Sequence, residues 1–294
     1  MLGIDKPLHM SSHDLVNKVR TIFQEKRVGH AGTLDPLASG VMIVGVGPAT
    51  RLLQYVLAQT KRYTARINFG AQTSTDDIEG EVIRRAPLHE ALSDEQYAKD
   101  ILQSFEGRLM QMPPNFSAIH VEGKRAYDLA RQGKKVELQA REVEVSEARL
   151  VGISSDEHGL FWLVDFNVSK GTYIRSLARD IGLKTGSAAH LGSLIREELG
   201  SVNLKDCISL EELALLDNPE DAALDLRQVL ALERYDLSQE ELAKVQVGAL
   251  PRDASFEGMR AYCFEDKLYA LAKLGNKQVK ALAFFPQGVK GVSL

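Results

Sequence analysis

Asp35 is a lone carboxylate in the glycine-flanked run VGHAGTLDPLASG, residues 28–40, five residues after His30 and directly before Pro36. The proline fixes the chain that follows and biases Asp35 toward an extended backbone. A loop carboxylate can act as a nucleophile or a base if a cation keeps it ionised. Arg175 is the candidate cation, in the run KGTYIRSLARDIGLKTG. There Ile174, Leu177, Ala178 and Ile181 form a helical stripe, with Gly186 as its stop. A guanidinium in the first turn adds to the positive end of the helix macrodipole and favours a nearby carboxylate or phosphate. Asp-Pro is also a common turn, so the residues alone leave both a chemical and a structural reading open.

Other templates fit poorly. VGVGPAT has glycines at 45 and 47 but no third, and Pro48 lacks the N–H that a phosphate cradle uses. Asp76, Asp77, Glu79 and Glu81 are acidic but lack the spacing of a calcium loop, and they read as a structural or solvated turn. No HExxH, GxSxG or Walker A run occurs, and no metal site is expected.

The elements that position these residues follow from periodicity. Ser11–Lys26 reads as a helix, with Ser11 or Ser12 as its cap and Leu15, Val16, Val19, Ile22 and Phe23 at helical spacing. Residues 28–40 read as a loop that feeds a buried strand, Val41–Val46. In Arg62–Gly70 the residues Tyr63, Ala65, Ile67 and Phe69 alternate with Thr64, Arg66 and Asn68, which predicts a half-buried strand. After the polar turn TSTDDIEGE, the spacing of Tyr97, Ile101, Leu102 and Phe105 predicts a helix ending near Gly107. Leu160–Ser169 alternates again. Residues 118–141 are rich in Lys and Arg with Tyr127 among them, a composition that suits a protruding arm against a phosphate backbone or a solvated helix–turn. From about Tyr235 the texture shifts to a helix, Ser238–Val247, and three strands, Met259–Glu265, Leu268–Leu274 and Val279–Phe285. A boundary near residue 234 is expected.

The composition agrees with a folded domain of ordinary kind. Of 294 residues, 44% are hydrophobic and 26% charged, which excludes a mainly disordered, coiled-coil or collagen-like chain. Cys207 and Cys263 form no CxxC pair, so neither a disulfide scaffold nor a cysteine-rich zinc site is expected. The start carries Asp5 and Lys6 where a signal peptide needs an apolar core, and no apolar run reaches about 20 residues. A cytoplasmic protein without membrane contact is expected. The net charge of −4 conceals an asymmetry. Residues 1–70 hold nine Lys/Arg against four Asp/Glu, and residues 205–241 three against eleven. The basic amino-terminal part is a reason to look for a polyanion partner.

Taken together, GIDKP at 3–7, GHAGTLDPLASGVM, KRY at 61–63, KGTYIR at 170–175 and Leu194-Ile195-Arg196 resemble the TruB family of pseudouridine synthases. That family isomerises uridine 55 in the T-loop of tRNA to pseudouridine. The likeness runs in order from Gly3 to about Arg196 and includes PPNFSAIHVEGKRAYDLARQG, similar to the family's RNA-gripping thumb. The last sixty residues resemble its small PUA domain in size and strand content.

The resemblance implies an α+β fold with a mixed, largely antiparallel sheet and flanking helices over residues 1–234. The thumb lies at about 118–141, and a β-rich PUA-like RNA-binding module spans 235–294. It implies Asp35 as the essential carboxylate, acting covalently at the sugar or the base, with Arg175 holding it ionised. Tyr63 would stack on the uracil and take part in moving a proton. Tyr173 and Leu194 would line the uracil pocket, His30 would fill space that the flipped base vacates, and Lys6 would support the active-site loop. Lys124, Arg125, Arg131, Lys134 and Lys135 would meet RNA phosphates. No cofactor is implied, because the isomerisation changes no oxidation state. The expected partner is the tRNA T-arm, bound by a monomer without an obligate protein partner. The motif starting at residue 3 favours such a stand-alone enzyme over relatives that act on ribosomal RNA with a guide RNA. A third possibility is an RNA-binding tRNA-folding chaperone, against which intact Asp35, Tyr63 and Arg175 argue. One departure is Glu197-Glu198 after Arg196, where the family more often has a second arginine and then neutral residues; phosphate contact would be weaker there.

Overall fold

The computed structural model describes residues 1–114, 116, 120–121, 124–125, 138–251, 258–275 and 278–292. In chain order its first half carries β1 (Leu2–Lys6), α1 (Ser12–Phe23), β2 (Val28–Ala31), β3 (Ala38–Val46), α2 (Leu53–Leu57), β4 (Lys61–Phe69), β5 (Ala71–Thr73), β6 (Val82–Arg85), α3 (Glu95–Gln103) and β7 (Gly107–Gln111). There follow β8 (His120–Val121), β9 (Lys124–Arg125), β10 (Arg141–Asp156), β11 (Gly159–Val168), α4 (Ile174–Lys184), β12 (Ala189–Leu199) and β13 (Val202–Asn203). The last are α5 (Leu210–Leu215), α6 (Leu226–Leu230), β14 (Glu233–Asp236), α7 (Gln239–Gln246), β15 (Met259–Phe264), β16 (Lys267–Gly275) and β17 (Gln278–Lys290). The class is α+β with largely antiparallel sheets, as the sequence predicts. No helix among the described residues is long and apolar enough to cross a membrane.

The chain divides into two compact units, Thr60–Glu197, and Met1–Gln59 together with Glu198–Leu294. In the latter, β3 lies between β1 and β2 and pairs antiparallel with both, Leu2 and His30 each standing opposite Val44. The sequence reading of 28–40 as one loop is corrected here. Val28–Ala31 is a strand because the buried β3 offers it a second edge of unpaired backbone groups, and β3 itself begins at Ala38. The loop proper is residues 32–37. α1 starts on a capping box, Ser11 accepting from the Asp14 N–H while Asp14 accepts from the Ser11 N–H. A four-stranded sheet, ordered β14-β15-β16-β17, has one parallel pair, β14 with β15. Ala261, Cys263, Leu271 and Phe285 from one of its faces share a core with Val41, Ile43, Leu52 and Val56. Tyr262, Tyr269 and Ala272 from the other face pack with Leu242 and Val245 of α7.

The other unit is a sheet ordered β12-β4-β11-β10-β7. β4, β11, β10 and β7 are successive antiparallel neighbours, with Tyr63 opposite Phe166 and Ile67 opposite Trp162. Helix α3 packs against β10 and α4 against β4. Trp162 is fully buried, its indole N–H donating to the Leu92 carbonyl at 2.8 Å. Ile174, Leu177, Ala178 and Ile181 are the buried stripe of α4. The helix ends on Gly186 at φ +71°, with the Ser187 N–H reaching back to the Gly182 carbonyl. A Cβ on Gly182 would collide with the Ala189 backbone, so the tight return from α4 into β12 needs glycine there. Besides β2, the strands β1, β5, β6, β7, β8, β9, β10, β12, β13 and β14 have no counterpart among the strands that the sequence predicts.

Candidate active site

Asp35 sits half-buried in the loop between β2 and β3. Leu34 and Leu37 on either side of the Asp-Pro pair are buried, which pins the loop by its apolar residues. The Ser12 hydroxyl, at the start of α1, donates to the Leu34 carbonyl at 2.8 Å and accepts the Leu34 N–H at 2.9 Å. The Asp35 carbonyl accepts the Ala38 N–H, and the Pro36 carbonyl accepts the His9 N–H at 2.8 Å. His9 stands at φ +61°. Lys6 is fully buried, and its ammonium donates to the Pro7 and Met10 carbonyls at 2.8 and 2.7 Å. It thereby fixes the same segment whose His9 holds Pro36. A carboxylate on a backbone secured before and after it can be aimed, which a free loop cannot do. His30, on β2, is half-buried.

In the other unit Tyr63 is buried on the face of β4 that carries Lys61, Ala65 and Ile67. Burial, with Arg196 and Lys170 adding like charge, pushes Lys61 down to about 8. Leu194 is buried on β12, and Tyr173 occupies the N-cap position of α4. Arg175 follows two residues later, in the first turn of α4, and is 7% exposed. Its guanidinium donates to the Thr75 and Phe116 carbonyls, each at 3.0 Å, and pairs with the Asp77 carboxylate at 3.4 Å. Asp77 also accepts from the Thr75 hydroxyl at 2.5 Å and from the Glu79 N–H. One turn further along α4, Arg179 pairs with Asp76 at 2.9 Å. Burial raises the Asp76 carboxyl above its ordinary range, and the Arg179 charge opposes that rise.

Asp76, Asp77, Arg179 and Gln111 were missed as parts of this region. The acidic turn is structural, as one of its two readings has it, but it splits: Asp76 and Asp77 are buried, Glu79 and Glu81 exposed. A signal was present in the four-residue spacing of Arg175 and Arg179, which puts both on one helix face and asks for two acids. Of the expected phosphate-binding residues, Lys124 and Arg125 lie on β9, which pairs with β8. Arg131, Lys134 and Lys135 lie outside the described residues. Among the described residues no cluster of His, Cys, Asp and Glu suited to a metal ion occurs.

Comparison with known proteins places this arrangement. Residues 20–174 match the family model described as TruB family pseudouridylate synthase, N-terminal domain. A protein of Mycolicibacterium paratuberculosis named tRNA pseudouridine synthase B is 40% identical over 283 residues, 96% of each chain. Proteins of the same name from Corynebacterium diphtheriae and Thermobifida fusca are 41% identical over 88% of this chain and 86% of theirs, and 46% identical over 72% and 73%. Among solved structures, a chain of a Cbf5-Nop10-Gar1 complex aligns with a TM-score of 0.68 and 26% identity, covering 99% of this chain and 82% of that one. With Asp35, Tyr63 and Arg175 standing on the loop, strand and helix that the motifs define, the chain belongs to the TruB family of pseudouridylate synthases.

Proposed function

We propose that the chain converts uridine 55 in the T-loop of tRNA to pseudouridine, acting as a monomer without a protein partner. The observation that carries this reading is the fixed Asp35 backbone in a chain whose near full-length relatives are named for tRNA pseudouridine formation. The reaction breaks N1–C1′, turns the base and joins C5 to C1′. The proton leaves C5, N1 gains one, and no electron is transferred. Asp35 is the nucleophile, at the sugar or at the base, and is released unchanged when the C-glycoside forms. Arg175 keeps it ionised and oriented. Tyr63 stacks on the uracil and takes part in moving the C5 proton, while Tyr173 and Leu194 line the pocket.

The target base must leave its stack, at a cost of a few kcal/mol, and His30 fills part of the space it leaves. Lys124, Arg125, Arg131, Lys134 and Lys135 supply phosphate contacts to a stem-loop recognised by shape and splayed bases. Residues 1–234 form the catalytic domain in this reading, and 235–294 an RNA-binding module.

The test is tritium release from an unmodified tRNA transcript labelled at uridine C5. Release by the wild type, absent with Asp35→Asn and absent when the T-loop uridine is cytidine, is the expected outcome. Asp35→Asn should leave tRNA binding within about tenfold. No release from tRNA by folded wild-type protein would turn the assignment to another RNA or to an RNA-folding role.

A further inference from the structure

We propose that Gln111 is a positioning residue for the uridine site, its side-chain amide setting the peptide of Tyr173 and with it the first turn of the Arg175 helix. The inference rests on the reading above, in which Tyr173 and Arg175 serve the target base. Gln111 is the last residue of β7 and is 1% exposed. Its Oε1 accepts the Tyr173 N–H at 2.8 Å, and its Nε2 donates to the Tyr173 carbonyl at 3.0 Å. Tyr173 is extended, at φ −102° and ψ 114°, and its side chain makes no capping bond. A two-point clamp on both polar groups of one extended residue reproduces what a neighbouring strand would give it. The neighbour here is a single side chain.

The requirement for glutamine is chemical. An amide alone offers a donor and an acceptor side by side, and the Tyr173 N–H and C=O dictate which end is which. Asparagine is one methylene short, and an ionised glutamate has no hydrogen to donate.

The clamp is the first of several ties between α4 and the chain that leaves β7. The Met112 carbonyl accepts from the Ser176 hydroxyl and from Arg179, each at 2.9 Å. The Phe116 carbonyl accepts from Arg175. Gln111, Met112 and Phe116 are thus tied to the first two turns of α4, and Gln111 sets the register at the Tyr173 end. A shift of the Tyr173 peptide moves its ring and the start of the helix that carries Arg175.

The experiment combines kinetics with fluorine NMR on 3-fluorotyrosine protein. The chain has eight tyrosines, and Tyr173→Phe assigns the resonance of interest. Gln111→Ala is expected to move the Tyr173 resonance while those of Tyr235, Tyr262 and Tyr269 stay in place. Its kcat for tRNA should fall about 30-fold with tRNA affinity within about threefold, the order expected when a reacting group is misplaced by less than 1 Å. Gln111→Glu should show a deficit, relative to wild type at each pH, that shrinks as the buried carboxyl protonates and regains a donor. Wild-type kcat in Gln111→Ala with an unmoved Tyr173 resonance would overturn the proposal. So would simultaneous loss of all the tyrosine resonances, which would make Gln111 a residue of the fold alone. A wild type that forms no pseudouridine would instead overturn the functional reading, while the Tyr173 resonance still decides whether Gln111 sets that residue.

Discussion

Replacing Asp77 by asparagine removes one charge from the buried Asp77–Arg175 pair and little volume. The two side chains are 5% and 8% exposed, and the charged atoms are 3.4 Å apart. At an effective dielectric of about 20, unit charges at that distance attract by about 5 kcal/mol. Breaking one partner of a buried pair costs about 3–5 kcal/mol, because the remaining charge stays out of water. Arg175 keeps its bonds to the Thr75 and Phe116 carbonyls, so the lower end applies, about 3 kcal/mol. If the new amide keeps its oxygen toward the Thr75 hydroxyl and the Glu79 N–H, it turns its NH2 toward the guanidinium, a donor facing donors. Urea unfolding followed by the fluorescence of Trp162, the only tryptophan and fully buried, measures the stability term. Single-turnover tritium release measures the functional one, where a displaced Arg175 should cost about 100-fold. The cycle of Asp77→Asn, Arg175→Met and the double variant should give a coupling of about 2–3 kcal/mol. A coupling near zero, with Asp77→Asn within about 0.5 kcal/mol of wild type, would refute the account of Arg175 as a cation held by this turn.

Four further outcomes are expected. Lys6→Met leaves the Pro7 and Met10 carbonyls without their ammonium and loosens the segment whose His9 holds Pro36; kcat should fall about tenfold with tRNA affinity unchanged, and a loss confined to affinity would count against it. Lys61 titrates near 8 in the fold, below its ordinary 10.5. Between those values the unfolded chain holds a proton that the folded chain lacks, so wild type should gain stability with rising pH relative to Lys61→Met, and parallel stability curves would contradict this. Asp156 is held down to about 2, chiefly by Arg66. Its contribution is present above 3.8 and lost as pH falls toward 2, a loss that melts of Asp156→Asn should not show. Burial pushes the Cys263 thiol up to about 12, so a thiol reagent at pH 8 should label half-buried Cys207 in the folded protein and Cys263 only after unfolding.

Where a segment's own pattern decides its structure, the sequence was enough. The Tyr63 strand alternates, and its buried face carries Tyr63, Ala65, Ile67 and Phe69 as the pattern predicts. α4 buries the four residues of its stripe and stops at Gly186. Failures came where pairing with another strand, and not the segment's own pattern, decides. Val28–Ala31 contains Gly29 and His30 and has no period of its own; it is a strand because β3 pairs with it. β10 alternates charged and small residues, and buries only Val143, Val145 and Ala148 of its sixteen. Its extended form comes from having β7 on one edge and β11 on the other.

The acidic turn shows the same limit at the level of chemistry. TSTDDIEGE has the composition of a solvated loop, and by composition alone Asp76 and Asp77 cannot be told from Glu79 and Glu81. Their difference is made by β12, whose Leu191 N–H donates to the Asp76 carbonyl and whose Leu191 carbonyl accepts the Ile78 N–H. That pairing draws the first two acids under α4, about 100 residues away in sequence. Two carboxylates forced out of water are costly unless cations meet them, and Arg175 and Arg179 are spaced to meet both. The arginines therefore carry the more legible half of the motif, because their spacing is local to one helix. A guanidinium pair at i and i+4 beside a buried stripe predicts two buried acids elsewhere in the chain, and in this protein the only adjacent pair of aspartates is Asp76-Asp77.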